Sequence, residues 1–167
     1  LSFRDNVAAS DEGLVADLRR EGAIVLGKTN VPEWSAGGNS RNAVYGTTGN
    51  PFDPTKSAAG SSGGSAAALA TGMVPLATGS DTGGSLRNPA SFCGVVGFRP
   101  TPGLIPAEKR GMAWLQLSTL GPMARTVQDA ALLLSVMAKP DARDPLSLIA
   151  HGADGYAPER LRALTPM

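Results

Sequence analysis

A chain of 167 residues is long enough for one domain with its own core. The formal charge of +1 comes from interspersed acids and bases, which excludes the basic stripe of a nucleic-acid binder and the acidic block of a solvating tail. One cysteine, Cys93, excludes an internal disulfide and favours a reducing compartment. No apolar run approaches the roughly 20 residues that cross a bilayer, and no secretory leader is read. The polar start at Leu1 and the end at Thr165-Pro166-Met167 predict a piece of a longer protein.

The elements follow in chain order. Ser10 and Asp11 predict a helix N-cap, with Leu14, Val15 and Leu18 at helical spacing and Gly22 as the stop. Ala23 to Leu26 predicts a short buried strand. Helix followed by strand predicts an α/β fold whose mixed sheet is largely parallel and covered by helices. Residues 29–59, rich in Asn, Gly, Pro, Ser and Thr, predict a long functional loop with one helical turn at Pro32-Glu33-Trp34. Gly64 to Thr71, with nearly all small side chains, predicts a tightly packed helix. Met73 to Thr78 predicts a strand broken by Pro75, and Asp81-Thr82-Gly83-Gly84 a turn. A short helix is expected from Ser85 to Phe92, limited by Pro89. Val95 to Phe98 predicts a strand and Pro100 to Gly111 a loop. Thr126 to Ala138 carries the clearest helix signal. Thr126 is its cap, Asp129 its N3 residue, and Val127, Ala130, Ala131, Leu134 and Met137 its buried stripe.

Two short patterns match catalytic motifs and fail on context. Gly22 to Thr29 fits the phosphate loop G-x-x-x-x-G-K-[ST], but its variable residues are Ala-Ile-Val-Leu, and Pro32 cuts short the helix required next. Gly60-Ser61-Ser62-Gly63-Gly64 fits the nucleophile elbow G-x-S-x-G, but no strand signal precedes it. That elbow also needs a histidine, and the one present, His151, reads as a surface residue of a weakly patterned tail.

The informative stretch is Gly60 to Gly94, where two Gly-Ser clusters each precede a predicted helix. Any one serine there would by default be a cap or a turn residue. Jointly they fit a site, because helix starts present free N–H groups and a positive dipole end. The amides of Thr82, Gly83, Gly84 and Ser85 are placed to converge on a developing oxyanion, with Ser85 as nucleophile. A serine needs a base, and the histidine-free arrangement is Ser-Lys.

From Ser10 to Leu148 the sequence closely resembles the amidase signature family. The residues that carry the resemblance are Gly79-Ser-Asp-Thr-Gly-Gly-Ser-Leu-Arg-Asn-Pro-Ala-Ser-Phe-Cys-Gly-Val-Val-Gly97 and Ala59-Gly-Ser-Ser-Gly-Gly-Ser-Ala-Ala-Ala68. Residues 22–33, 45–51 and 121–130 agree as well. Ala59 stands where glycine is commoner in the family. The resemblance implies one partial domain over residues 1–167, with core motif 60–97. The family's lysine segment would precede Leu1, and its C-terminal half lies outside the chain.

By position in the motif, Ser85 matches the acylated nucleophile and Ser61 the bridging serine, which in the family follows a cis peptide. The two hydroxyls are then expected within hydrogen-bond reach. Thr82, Gly83 and Gly84 match the oxyanion hole. Ser35, Ala36, Gly37 and Gly38 match the loop that lines the acyl pocket. Asp81 and Arg87 are read as an ion pair bracing the turn, and Cys93 as a buried small residue. None of Lys28, Lys56, Lys109 and Lys139 has a setting that would keep a lysine neutral. The implied activity is hydrolysis of a linear carboxylic amide in the full-length parent, without metal or organic cofactor, in the cytoplasm. The implied partners are a small-molecule amide and the rest of the same chain, with a homodimer left open and no nucleic acid or membrane. One alternative is the glutaminase-type member of a tRNA-dependent amidotransferase complex, although Gly111 to Gly121 looks more like stand-alone amidases. The other is a non-catalytic scaffold.

Overall fold

The computed structural model describes residues 5–108, 110–149 and 155–160. Helix α1, Gly13–Arg20, ends with Arg19 and Arg20, cations suited to the negative end of the helix dipole. The Ser10–Asp11 cap does not form. Glu12 occupies the cap position without a side-chain cap bond, and Asp11 accepts from Arg19 Nη1 at 2.7 Å. Gly22 ends the helix as expected, at φ +89° with its N–H donated to the Arg19 carbonyl.

Ala23 to Leu26 is neither a strand nor buried. No strand pairs with it among the described residues, and Ile24 and Leu26 are 84% and 72% exposed. Its composition suits a buried strand, but nothing in the described residues covers it.

Residues 29–59 form an ordered loop. It holds a single 3-10 turn, Glu33–Ser35, and a minimal antiparallel hairpin of β1, Arg41–Asn42, and β2, Gly46–Thr47. Side-chain amides do much of the ordering. Asn30 Nδ2 donates to the Ser40 and Gly46 carbonyls and to Thr48 Oγ1, and Asn42 Nδ2 donates to Asn30 Oδ1 and the Val31 carbonyl.

Helix α2, Gly63–Ala70, forms where the small residues predict it. Strand β3, Leu76–Asp81, starts after Pro75 rather than running through it, since proline has no N–H for a ladder. Helix α3, Arg87–Phe92, begins two residues later than expected, which puts Pro89 in its first turn. Then come β4, Val96–Gly97, β5, Thr119–Ala124, and α4, Val127–Met137. In α4, Thr126 caps by accepting from the Asp129 amide at 3.1 Å. Ala130, Ala131, Leu134 and Met137 are buried as expected. Val127, at the first helical position, is exposed, and Leu133 joins the stripe in its place.

The α/β class stands, but the sheet differs from expectation. Its order is β3–β5–β4, and every described strand pair is antiparallel. The parallel expectation rested on α1 leading into a strand at Ala23, and that residue joins no sheet. Strand β5 has no strand signature, because Gly121 and Pro122 interrupt it. The sheet uses the Pro122 carbonyl, which accepts from the Phe98 N–H at 3.1 Å.

Alternation along β3 and β5 sends side chains to two cores. On one face Ala66 and Leu69 of α2 and Ala90 of α3 pack with Leu86, Cys93 and Met123. On the other, Leu133, Leu134 and Met137 of α4 pack with Leu14 and Leu18 of α1 and with Leu76 and Leu120. Two glycines let the first layer sit close to the sheet. A β-carbon at Gly121 would lie 2.7 Å from Leu86 Cδ1, and one at Gly79 would lie 2.9 Å from Ser62 Oγ. The two Gly-Ser clusters are thereby pressed onto one face of the sheet. Among the described residues no helix is long and apolar enough to cross a membrane.

Candidate active site

The end of β3 delivers Asp81 to the mouth of the turn that leads to Ser85. Asp81 is fully buried. Its Oδ1 accepts from the Gly84 amide at 2.8 Å, and its Oδ2 from the Leu86 and Arg87 amides at 3.3 and 3.2 Å. Arg87 adds Nε to Oδ2 at 2.9 Å and Nη2 to Oδ1 at 3.1 Å. Burial alone would raise the Asp81 pKa. The bonds from Arg87 and from the Gly84, Arg87 and Leu86 amides outweigh it and hold the carboxyl well below the usual range. The expected Asp81–Arg87 brace is therefore present. A third member, Arg99, has its Nη1 3.2 Å from Asp81 Oδ1. Sequence reading missed it, because a lone arginine after a short strand carries no pattern.

The brace changes one expected role. The Gly84 amide is committed to Asp81, whereas the amides of Thr82, Gly83 and Ser85 make no hydrogen bond among the described residues. The three free amides, not that of Gly84, are the ones available to an oxyanion.

The first Gly-Ser cluster lies beside this turn. The Gly60–Ser61 peptide is cis. Ser61 is buried, and its carbonyl accepts from Ser40 Oγ at 2.9 Å, while the same Ser40 oxygen accepts from the Gly63 amide at 2.9 Å. Ala59, where glycine is commoner in the family, has φ +59°, in the left-handed region that favours glycine. The two clusters join through the Ser62 N–H, which donates to the Ser85 carbonyl at 2.9 Å. Ser62 Oγ accepts from the Ser80 amide at 3.2 Å, and Ser65 Oγ donates to the Thr78 carbonyl at 3.0 Å. The structural reading of these serines thus holds for Ser62 and Ser65, and Ser40, outside the stretch, is likewise bonded into the fold. The hydroxyls of Ser61 and Ser85 make no hydrogen bond among the described residues, to each other included; backbone, not hydroxyl, links the two turns.

The remaining expected residues fall as follows. Ser35, Ala36, Gly37 and Gly38 are exposed. They lead into Asn39, whose backbone N would stand 2.7 Å from a β-carbon at Gly60. That segment therefore lies next to the Gly60–Ser61 turn. Cys93 is fully buried, its thiol pushed up by burial, with Sγ 3.8 Å from the Ala58 carbonyl. Lys28 and Lys56 are exposed, and Lys139 is ion-paired to Asp17. Lys109 and His151 lie outside the described residues.

This arrangement has close counterparts. The glutamyl-tRNA(Gln) amidotransferase A-type subunit of Picosynechococcus sp. is 48% identical over 142 residues, which is 85% of this chain and 29% of that protein. The protein of the same name from Thermus thermophilus is 51% identical over 134 residues, 80% of this chain and 28% of that one. A solved bacterial aryl acylamidase of the amidase signature family superposes with a TM-score of 0.81 at 38% identity, covering 87% of this chain and 30% of its own. The chain therefore spans under a third of the length of these relatives. The family model described as Amidase matches residues 1–163, and with it the chain belongs to the amidase signature family.

Proposed function

We propose that these residues form the nucleophile half of an enzyme that hydrolyses a carboxylic amide through a serine acyl-enzyme. Ser85 Oγ attacks the amide carbonyl and passes its proton to Ser61. Ser61 in turn gives its proton to the lysine that the family resemblance puts ahead of Leu1. The Thr82, Gly83 and Ser85 amides meet the charge that develops on the carbonyl oxygen. The relay then returns the proton to the departing amine, and water cleaves the acyl-enzyme by the reverse route. Ser35 to Gly38 supply part of the acyl pocket.

One observation carries this reading. Of the four serines in the two Gly-Ser clusters, Ser62 and Ser65 have hydroxyls bonded into the fold, whereas Ser61 and Ser85, on adjoining turns, keep hydroxyls with no hydrogen bond among the described residues. A fluorophosphonate probe on the full-length polypeptide tests it. Labelling should occur at Ser85, vanish in Ser85→Ala and slow by about 100-fold or more in Ser61→Ala. Absence of labelling in well-folded wild-type protein would replace the enzyme with the scaffold. The 167 residues alone, whose described lysines are exposed or held by Asp17, are expected to turn over no amide.

A second reading is favoured by the relatives named as amidotransferase components. In it the amide is glutamine, and the ammonia passes to a partner. Gly111 to Gly121, which looks more like stand-alone amidases, favours a stand-alone enzyme instead. Hydrolysis of a simple aryl amide without added subunits supports the first reading; glutamine hydrolysis that requires a co-purifying partner supports the second.

A further inference from the structure

The β3–β5 ladder ends at the pair Asp81 and Thr119. Beyond that pair the chains diverge, one into the turn that carries Ser85, the other back into residues 111–118. Arg99 spans the gap. Its Nη1 donates to the Asp81 carbonyl and to Asp81 Oδ1, and its Nη2 donates to the Leu117 carbonyl at 2.9 Å. A second guanidinium holds the same part of the loop on either side of Leu117. Arg110 Nη1 donates to the Leu115 and Ser118 carbonyls at 2.9 and 3.1 Å, while its Nη2 meets the buried Asp144 at 2.9 Å. The other polar group at the end of the ladder, Thr119 Oγ1, is buried without a hydrogen-bond partner in the described residues, so it does not substitute for Arg99.

We infer that Arg99 is a positioning residue for the proposed nucleophile, locking the Ser85 turn and the 111–118 loop into one rigid unit. Its role differs from that of Arg87. Among the described residues the Arg87 side chain binds only the carboxylate of Asp81, and it is 55% exposed. Arg99 also holds the Asp81 main chain, immediately ahead of the Thr82 amide and two residues ahead of that of Gly83. A guanidinium does this because its planar fork presents several donors at fixed angles, and an ammonium presents none in that geometry. Without Arg99 the Asp81 carboxylate keeps Arg87 and three backbone amides, so the turn still forms. What is lost is its aim and its tie to the loop. A displacement of about 1 Å at such a site costs on the order of 100-fold in rate.

The inference rests on the amide-hydrolase reading, and the test separates the two. In the full-length polypeptide, Arg99→Gln should lower kcat on a short-chain amide by about 100-fold while KM shifts by less than about threefold. Hydrogen exchange at the amides of Gly84 and Leu86 and across residues 111–118 should accelerate together, by roughly tenfold or more. Arg99→Lys, which keeps the charge but loses the fork, should fold like wild type and still fall well short of wild-type kcat. Wild-type kcat in Arg99→Lys, or unchanged exchange and kcat in Arg99→Gln, would overturn the positioning role. If Arg99→Gln does not fold, Arg99→Lys decides alone. If wild type neither hydrolyses amides nor takes the serine probe, the functional reading fails, and the exchange result still tells whether Arg99 couples turn and loop.

Discussion

Between Asp81 and Arg87 one buried carboxylate gathers three backbone amides and two guanidinium groups, all within the span from Asp81 to Arg99. Across Ala23 to Leu26, four apolar residues lie with no strand beside them among the described residues. The first region is closed by charge and hydrogen bonding, from amides and Arg87 within six residues of Asp81 and from Arg99 eighteen residues on. The second has the composition for burial but needs a surface that the described residues do not supply. A chain spanning under a third of its relatives' length therefore holds both a hydrogen-bonded turn and an apolar segment that nothing in the described residues covers.

Acid should separate the two regions most sharply. Partners hold Asp81 and Asp144 below the usual carboxylate range against the opposing effect of burial, and the Arg143 guanidinium beside Asp141 holds that carboxyl down to about 2. Each folded-state pKa lies below the unfolded value, so the stability these groups contribute is present above about pH 4. It is lost as pH falls through the folded values, near 2 for Asp141. Urea midpoints should change little on this account from pH 7 to 5, then drop steadily below about 4. Asp81→Asn should lower stability at pH 6 by about 3 kcal/mol and flatten the acid slope. An unchanged slope in that variant would mean the carboxylate is not what closes the turn.

A smaller effect is expected at Ser40, which holds the Ser61 turn as Asp81 holds the Ser85 turn, but without charge. Ser40→Ala removes the donor to the Ser61 carbonyl and the acceptor of the Gly63 amide. It should cost about 1–3 kcal/mol, because both freed groups are buried. The loss should appear as faster amide exchange at residues 61–64, with the Gly84 and Leu86 amides little changed. Equal acceleration in both places would show that the two turns are one unit rather than two braced separately.

What the sequence reveals about each region follows the same division. Short-range signals are legible: the small residues of α2, the Thr126 cap, the Gly22 stop and the Asp81–Arg87 brace all depend on neighbours a few positions away. Long-range dependence is not. Strand β5 contains Gly121 and Pro122 because Leu86 needs room against the sheet, and because Pro122 is asked only for its carbonyl. Neither reason is visible locally. Ala23 to Leu26 misleads in the opposite direction, since its pattern announces burial that the described residues do not provide. In the site, the motif marks the Ser61 and Ser85 turns. It does not reveal that Gly84 commits its amide to Asp81, or that Arg99 and Ser40 hold the two turns, because those bonds depend on directions in space rather than on spacing.

The smallest effect expected in this chain is at Ile24. Ile24 is 84% exposed, so Ile24→Thr should change the stability of the 167-residue chain by less than about 0.5 kcal/mol. Because an exposed run of apolar side chains invites association with another chain, Ile24→Lys should reduce concentration-dependent association, measured by sedimentation. In the full-length polypeptide the same Ile24→Thr change should cost about 1–3 kcal/mol if further chain covers the segment and buries the side chain. The gap between the two measurements reports how much of this segment is covered by residues beyond the 167. An equal, near-zero effect in both chains would mean that Ala23 to Leu26 faces solvent in either context, and that its apolar composition serves something other than the sheet.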